Sequence, residues 1–331
     1  MAANRRAYGR VELRPRVLTD VSGCDPTTSL LGAGLAMPVG VAPTAYHRLV
    51  HPDGEVATAR GTGAAGALYV VSTFASRTLE DIAAAAGGPL WLQLYWWRRR
   101  EVMVNLIERA ARCGYRALVL TVDTPRMGRR WRDVRNGFAV ASDIVAVNID
   151  PALMGVTHRA QAGRSALAEH AVEAFDPSVT WSDLAWLRER SALPLVLKGI
   201  LTAEDAAHAV DAGVDAIAVS NHGGRQLDRV PASLDALPEV VDAVAGACPV
   251  LVDGGIRHGS DVFVALSRGA SAVLLGRPVL WGLAVGGADG VTDVLRMVGT
   301  ELVHTMALAG RPRLTDIDRS ATRTVGHGGP V

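Results

Sequence analysis

His222, in the string SNHGGRQLD, is the residue best suited to move a proton, because an imidazole titrates near neutrality. Asp123, in LTVDTPRMGRR, could orient that ring and stabilise its cationic form. Arg225, just beyond His222, and Arg130, just beyond Asp123, are candidates to clamp a carboxylate, which a guanidinium does through two parallel N–H bonds. Spacing does not choose Arg130 over Arg129, and the run Arg126, Arg129, Arg130, Arg132 and Arg135 reads equally well as a solvated helix face. Tyr95, in LWLQLYWW, could hydrogen-bond a substrate oxygen, although an aromatic residue in such a string is by default a core residue. Trp91, Trp96 and Trp97 read as packing or rim.

Two further strings suit an anion. Asp253-Gly254-Gly255-Ile256-Arg257 and Gly276-Arg277 combine glycines, which let backbone N–H groups approach a phosphate, with two guanidinium groups. The bland alternative is a pair of tight turns with solvated arginines. Of the 34 cationic residues every one except Lys198 is an arginine. His51, His158, His170, His208, His258, His304 and His327 read as structural, as does His47 with a weaker case. No HxH, HExxH or clustered Cys/His pattern occurs, so no metal is expected.

The elements that must position these residues show as eight short apolar runs without alternation: 37–45, 67–73, 90–96, 117–123, 193–199, 216–221, 249–255 and 272–278. Such runs suit strands buried on both faces of a parallel sheet. Helical patterns lie between them over 54–65, 78–86, 99–113, 181–190, 203–212, 233–244, 259–268 and 290–309. The alternation predicts an α/β fold, a (βα)₈ TIM barrel forming a single domain over 1–331. Cap signals are expected at Ser182-Asp183, at Thr202 with Glu204 and Asp205, and at Ser233 with Asp235. Residues 124–179 form a long insertion after the fourth strand, on the face where barrel active sites assemble, and are expected to act as a lid or substrate loop. On that face the chemical residues fall at strand ends. Lys198 does too, a placement with a chance of roughly 2 to 3% if position were arbitrary.

Composition narrows the function classes. With 34 basic against 33 acidic residues, 49% hydrophobic and 20% charged, the chain suits neither disorder nor nucleic-acid binding. The longest uncharged apolar stretch, Leu30 to Pro43, is interrupted by prolines and glycines and is shorter than the ~18 residues of a membrane span. Cys24, Cys113 and Cys248 are far apart and odd in number, and no signal peptide is apparent, so a reduced cytoplasmic protein is expected.

Taken together, APTAYHRLVHPDGE, STFASRTLEDIA, LQLYW, LTVDTPRMGRRWRDVRNGF, LKGILTAEDA, SNHGGRQLD, PVLVDGGIR and ASAVLLGRP resemble the FMN-dependent 2-hydroxy acid oxidases and dehydrogenases. That family includes glycolate oxidase, lactate oxidase and mandelate dehydrogenase, and the phrases STFASR and LWLQLY look most like its 4-hydroxymandelate oxidase branch. The resemblance implies that Pro43, Thr44 and Ala45 lie along the flavin, with Ser72, Gln93, Thr121 and Ser220 bonding its ring system or ribityl chain. It implies Lys198 near the pyrimidine edge, and Asp253, Gly255, Arg257, Gly276 and Arg277 at the ribityl-phosphate end. His222 is then the base, Asp123 its partner, Arg130 and Arg225 the carboxylate ligands, and Tyr95 a substrate contact. Phe74 and Met127 would line the pocket, an apolar lining that suits an aryl or long aliphatic acid. Alanine at 45 leans towards an oxidase that returns electrons to O₂ as hydrogen peroxide. The alternatives are a dehydrogenase with a quinone or protein acceptor, and a flavin-binding barrel without turnover. The family also implies a homotetramer. Its members carry a further N-terminal segment with an aromatic residue that enters the pocket; the likeness here begins at about Asn4-Arg5, so either the start is truncated or the pocket is more open, which bears on substrate affinity more than on flavin binding.

Overall fold

Residues 1–150, 153, 171 and 173–325 are described in the computed structural model of the chain. Every one of the eight apolar runs forms a strand: Val39–Val41, Leu68–Val71, Leu90–Leu94, Leu118–Thr121, Leu195–Ile200, Ala216–Val219, Val250–Asp253 and Ala272–Leu275. Each pairs in parallel with the next, and the eighth pairs with the first, closing the barrel. The alternation that the sequence lacks is still present in space, because both faces are apolar. Leu68, Val70, Trp91, Val119, Val196, Ala216, Ala218, Leu251 and Leu274 form a cluster inside the barrel, distinct from the larger one that packs the outer faces under the helices. Leu30 and Leu35, from the hairpin Thr28–Leu30 with Ala33–Leu35, join the inner cluster.

The helices follow from ordinary amphipathic spacing. In Arg100–Arg112 the buried residues are Met103, Leu106, Ile107 and Ala110, one stripe of a 3.6-residue period. Thr202 caps Ala203–Asp211 by accepting from the Asp205 N–H at 3.3 Å. The other two expected caps differ. Thr180, not Ser182, forms the capping box with Asp183, and Ser233 lies inside its helix, where its hydroxyl accepts instead from the Asn221 N–H at 3.2 Å. The last helix is longer than the expected 290–309. It runs Arg277–Leu308 with non-helical geometry at Gly286 and Gly287, so its first segment starts directly after the eighth strand.

Besides the hairpin of Thr28–Leu30 and Ala33–Leu35, two helices and one strand pair were not expected. A helix, Ala2–Gly9, lies against the loops after strands six and seven; Val11–Leu13 pairs with Thr322–Thr324; and Trp131–Asn136 forms a short helix in the insertion. The remaining lid expectation, and His158, His170 and His327, lie largely or wholly outside the described residues. No helix among the described residues is long and apolar enough to cross a membrane.

Candidate active site

Strand geometry builds the site. Side chains alternate with a period of two, so the residue two places beyond the last inward apolar one also points inward, at the mouth of the barrel. Applied to the inner cluster, Ala42 leads to Thr44, Val70 to Ser72, Trp91 to Gln93 and Val119 to Thr121. Likewise Val196 leads to Lys198, Ala218 to Ser220, Leu251 to Asp253 and Leu274 to Gly276. The eight strands thus contribute one position each, and the mouth is a polar ring resting on an apolar plug. Six of these side chains, Ser72, Gln93, Thr121, Lys198, Ser220 and Asp253, are buried. Burial of so many polar groups is costly unless each finds a partner.

Partners are present. The Gln93 amide accepts from the Thr73 N–H at 3.2 Å and donates to Thr121 Oγ1 at 3.0 Å. Lys198 Nζ donates to Ser220 Oγ at 2.9 Å and faces Asp253 Oδ2 at 3.2 Å, while the Ser220 hydroxyl donates to Asp253 Oδ1 at 2.7 Å. Burial alone would lower the lysine pKa, but Asp253 and Asp123 outweigh it and the net shift is upward. Lys198 therefore stays charged. An ammonium has three donors, so two bonds leave one for a ligand.

His222 follows Ser220 and Asn221 at the end of strand six. Its Nδ1 lies 3.0 Å from Asp123 Oδ1, which also accepts from Thr124 Oγ1 at 2.8 Å. Close approach of Asp123 requires Gly199 opposite: a Cβ there would come within 2.7 Å of Asp123 Cβ, and Gly199 has φ +117°. Burial lowers the His222 pKa, with Lys198 and Arg225 acting in the same sense and Asp123 opposing. Asp123 is held below the usual carboxylate range because the His222 bond and the Lys198 charge outweigh its burial.

Among the arginines, Arg130 is half-buried and burial, together with Arg225, brings its pKa down to about 10. Arg129 is exposed and stacks on Trp131, its Cζ 4.2 Å from the ring centre, while Arg126, Arg132 and Arg135 are exposed as well. The Tyr95 phenol lies within electrostatic reach of Asp123, Lys198, Arg130 and Arg225, and burial raises its pKa. Its ring stacks on Phe175 at 4.5 Å and sits 5.6 Å from Phe74. The buried atoms Asp123 Oδ2 and Arg130 Nε lack partners. Trp91, Trp96 and Trp97 are buried, and Met127 is half-buried.

At the opposite side, Gly254 and Gly255 hold positive φ, and a Cβ on Gly255 would come within 2.5 Å of the Asn4 carbonyl oxygen. Arg257 has its pKa lowered by burial and by the nearby charges of Arg277 and Arg5. Arg5, from the N-terminal helix, donates to the Gly255 carbonyl at 2.7 Å and to Asp261 at 2.5 Å. Gly276 is the N-cap of the last helix and offers no side-chain cap; Pro278 carries no N–H and the Val279 N–H donates to the Gly276 carbonyl at 3.1 Å, so what this helix start offers an anion is the unbranched Gly276 backbone and the Arg277 side chain beside it. Pro43 and Ala45 flank Thr44 at the end of strand one, partly buried and exposed respectively.

Sequence reasoning assigned no role to Asn4, Asn221 or Gln226, and read His47 as structural. Asn4 and Asn221 form a reciprocal amide pair at 2.8 and 2.7 Å, both buried. His47 is buried between Thr44 Oγ1 at 2.5 Å and Thr58 Oγ1 at 2.8 Å, and so backs the ring from outside. Gln226, inside the quoted string SNHGGRQLD, bridges to the loop that carries Asp123 and Arg130. Asn221 and Gln226 had a local signal, their adjacency to His222 and Arg225, and Asn4 had none.

A mouth of this kind pairs a His–Asp couple with a cationic, glycine-rich edge suited to an anionic ligand. The chain belongs to the FMN-dependent dehydrogenase family, whose model matches residues 1–324. It is 48% identical over 310 residues to 4-hydroxymandelate oxidase of Amycolatopsis orientalis, covering 94% of this chain and 86% of the relative. It is 48% identical over 321 residues to L-lactate oxidase of Nostoc sp., covering 96% and 88%. The crystal structure of mandelate oxidase with (S)-4-hydroxymandelic acid superposes with a TM-score of 0.93 at 46% identity, covering 98% of this chain and 90% of that one. FMN, the cofactor of the family, fits the donor set: a lone buried ammonium with one free donor, three crowded arginines and a glycine cradle at a helix N-terminus.

Proposed function

We propose that the chain oxidises an aryl (S)-2-hydroxy acid of the mandelate or 4-hydroxymandelate type to the 2-keto acid, with O₂ taking the electrons and leaving as hydrogen peroxide. The observation that carries the substrate class is aromatic. Phe74, Tyr95, Trp97 and Phe175 pack with ring centres 4.5 to 6.1 Å apart, and Tyr95 among them reaches the charged groups of the mouth. Trp97 and Phe175 are already fully buried, so the ring surface open to a ligand is chiefly that of Tyr95, where an aryl substrate gains an aromatic contact that a two-carbon acid does not make.

In this reading Arg130 and Arg225 grip the carboxylate and Tyr95 donates to a substrate oxygen. A carboxylate only accepts hydrogen bonds, so Asp123 fixes the His222 proton on Nδ1 and leaves the Nε2 lone pair free. His222 takes the substrate proton at Nε2, and Asp123 stabilises the resulting imidazolium. When bound, FMN supplies the two-electron acceptor. Pro43, Thr44, Ala45, Ser72, Gln93, Thr121 and Ser220 frame its ring system and ribityl chain, and Asp253, Gly255, Arg257, Gly276 and Arg277 its phosphate end. Lys198 keeps a fixed positive charge in the mouth, which favours an electron-rich, reduced cofactor.

The free thiols of Cys24, Cys113 and Cys248 suit a cytoplasmic location, and the exposed Trp281, Val285 and Met297 of the last helix suit self-association as a homotetramer. The test is anaerobic reduction of the protein-bound flavin by glycolate, lactate, mandelate and 4-hydroxymandelate. Mandelate and 4-hydroxymandelate should bleach it fastest, with peroxide formed mole for mole in air. Absence of bleaching by all four would end the proposal, and substrate loss without peroxide would move it to a dehydrogenase.

A further inference from the structure

Two loops bring the charged groups of the mouth together. One follows strand four and carries Asp123 and Arg130; the other follows strand six and carries His222 and Arg225. The His222 to Asp123 contact links them at one point. Gln226 links them at three more. Its Nε2 donates to the Asp123 carbonyl at 3.1 Å and to the Arg126 carbonyl at 3.0 Å, while its Oε1 accepts from the Gly128 N–H at 2.9 Å. The backbones also touch at this point, since a Cβ on Gly128 would come within 2.5 Å of the Arg225 carbonyl oxygen and 2.7 Å of Gln226 Cα. Gln226 thus sits next to one arginine of the pair and fastens the backbone two residues before the other.

The need for such a fastening is electrostatic. Two guanidinium groups aimed at one anion repel each other until the anion arrives, and on separate loops they would move apart. A side chain that ties backbone to backbone holds their spacing without entering the site or neutralising either charge. Both ends of its amide are used, which fixes its orientation.

We propose that Gln226 is a positioning residue for substrate binding: it latches the two loops so that Arg130 and Arg225 hold a preset separation matched to a carboxylate. This rests on the reading that those arginines bind the substrate carboxylate.

The test uses the FMN-loaded enzyme with Gln226→Leu, which removes all three bonds, and Gln226→Glu, which loses the two donated ones. Arg130→Met and Arg225→Met serve as controls for the underlying reading. Flavin content, melting temperature, kcat and KM for mandelate, and the preference for mandelate over its primary amide are measured for each. The latch predicts that Gln226→Leu raises KM ten- to thirtyfold with kcat lowered no more than threefold, and that the preference for the acid over the amide falls by a similar factor. Gln226→Glu should give a change in the same direction. KM within twofold of the parent in both glutamine variants, while the arginine variants raise it, overturns the latch and leaves the carboxylate reading standing. Unchanged KM in the arginine variants overturns the carboxylate reading itself. Should one glutamine variant lose FMN or its cooperative melt, the other is read; loss in both makes Gln226 a residue of the fold and overturns the proposal.

Discussion

Replacing Asp123 by Asn tests the proton-handling pair, and the structure predicts both the size and the pH signature of the effect. Oδ1 of Asp123 receives two donors, the His222 Nδ1–H at 3.0 Å and the Thr124 hydroxyl at 2.8 Å. An asparagine in this place therefore turns its carbonyl oxygen to that position and its NH₂ to the Oδ2 position, which is buried and without a partner. The tautomer of His222 is kept, and what is lost is the negative charge beside the imidazolium. At 3.0 Å and an effective dielectric of ~20 that attraction is about 5 kcal/mol, of which the remaining neutral hydrogen bond retains a part, leaving a loss of about 3–4 kcal/mol. Flavin reduction should slow by roughly 10²- to 10³-fold. The pH dependence carries the sharper sign. His222 must be neutral to accept a proton, and its pKa already lies below the ordinary 6.5 because burial, Lys198 and Arg225 outweigh Asp123. Removing Asp123 removes the opposing contribution, so the acid limb of the rate moves to still lower pH while the plateau falls. The assay is anaerobic stopped-flow reduction of the bound flavin across pH 4 to 9. A rate within threefold of the parent, or an acid limb displaced to higher pH, would refute the assignment.

Other perturbations read other parts of the site. Lys198→Met leaves Asp253 buried with only the Ser220 hydroxyl, and should lower the stability of the cofactor-free protein by about 3–5 kcal/mol, seen in urea titration; Lys198→Arg should weaken FMN binding at least tenfold by fluorescence, whereas an exposed Arg135→Lys leaves it unchanged. Gly255→Ala puts a Cβ within 2.5 Å of the Asn4 carbonyl oxygen at a positive φ, so a loss of about 2–3 kcal/mol and of flavin absorbance is expected. The carboxyl of Asp176 is lowered to about 2 by the Ser178 hydroxyl and Arg100. Because its folded pKa is below its ordinary 3.8, its contribution is complete above that pH and lost as pH falls towards 2. Ser178→Ala should flatten the decline in melting temperature over that interval.

The barrel strands were legible because a strand buried on both faces has nowhere to place a polar residue except at its end. The same constraint located the ring of inward polar positions, each two residues past an apolar one. What the sequence hid was of two kinds. The first segment of the last helix was masked by Gly286 and Gly287, which break the periodicity that identified its second segment. Contacts such as Asn4 with Asn221 and Gln226 with Gly128 join residues far apart in the chain, and an amide that satisfies a distant amide leaves no periodicity, motif or charge pattern. Spacing does not separate Arg130 from Arg129; in the structure Arg130 is half-buried near Arg225 and Tyr95, whereas Arg129 is exposed and stacks on Trp131.

The amide pair between Asn4 and Asn221 also bears on how the protein comes into being. The helix Ala2–Gly9 is synthesised well before its partners Asn221, Gly255 and Asp261. At ~5–20 residues per second those partners are synthesised roughly 11 to 50 s later. Throughout that interval the helix has no surface to dock on, and at eight residues it is too short to persist alone in water. The loops that carry His222 and Gly255 therefore reach their final form only when this helix meets segments 217 and 250 residues further along the chain, and the mouth of the barrel cannot be complete before those segments are made.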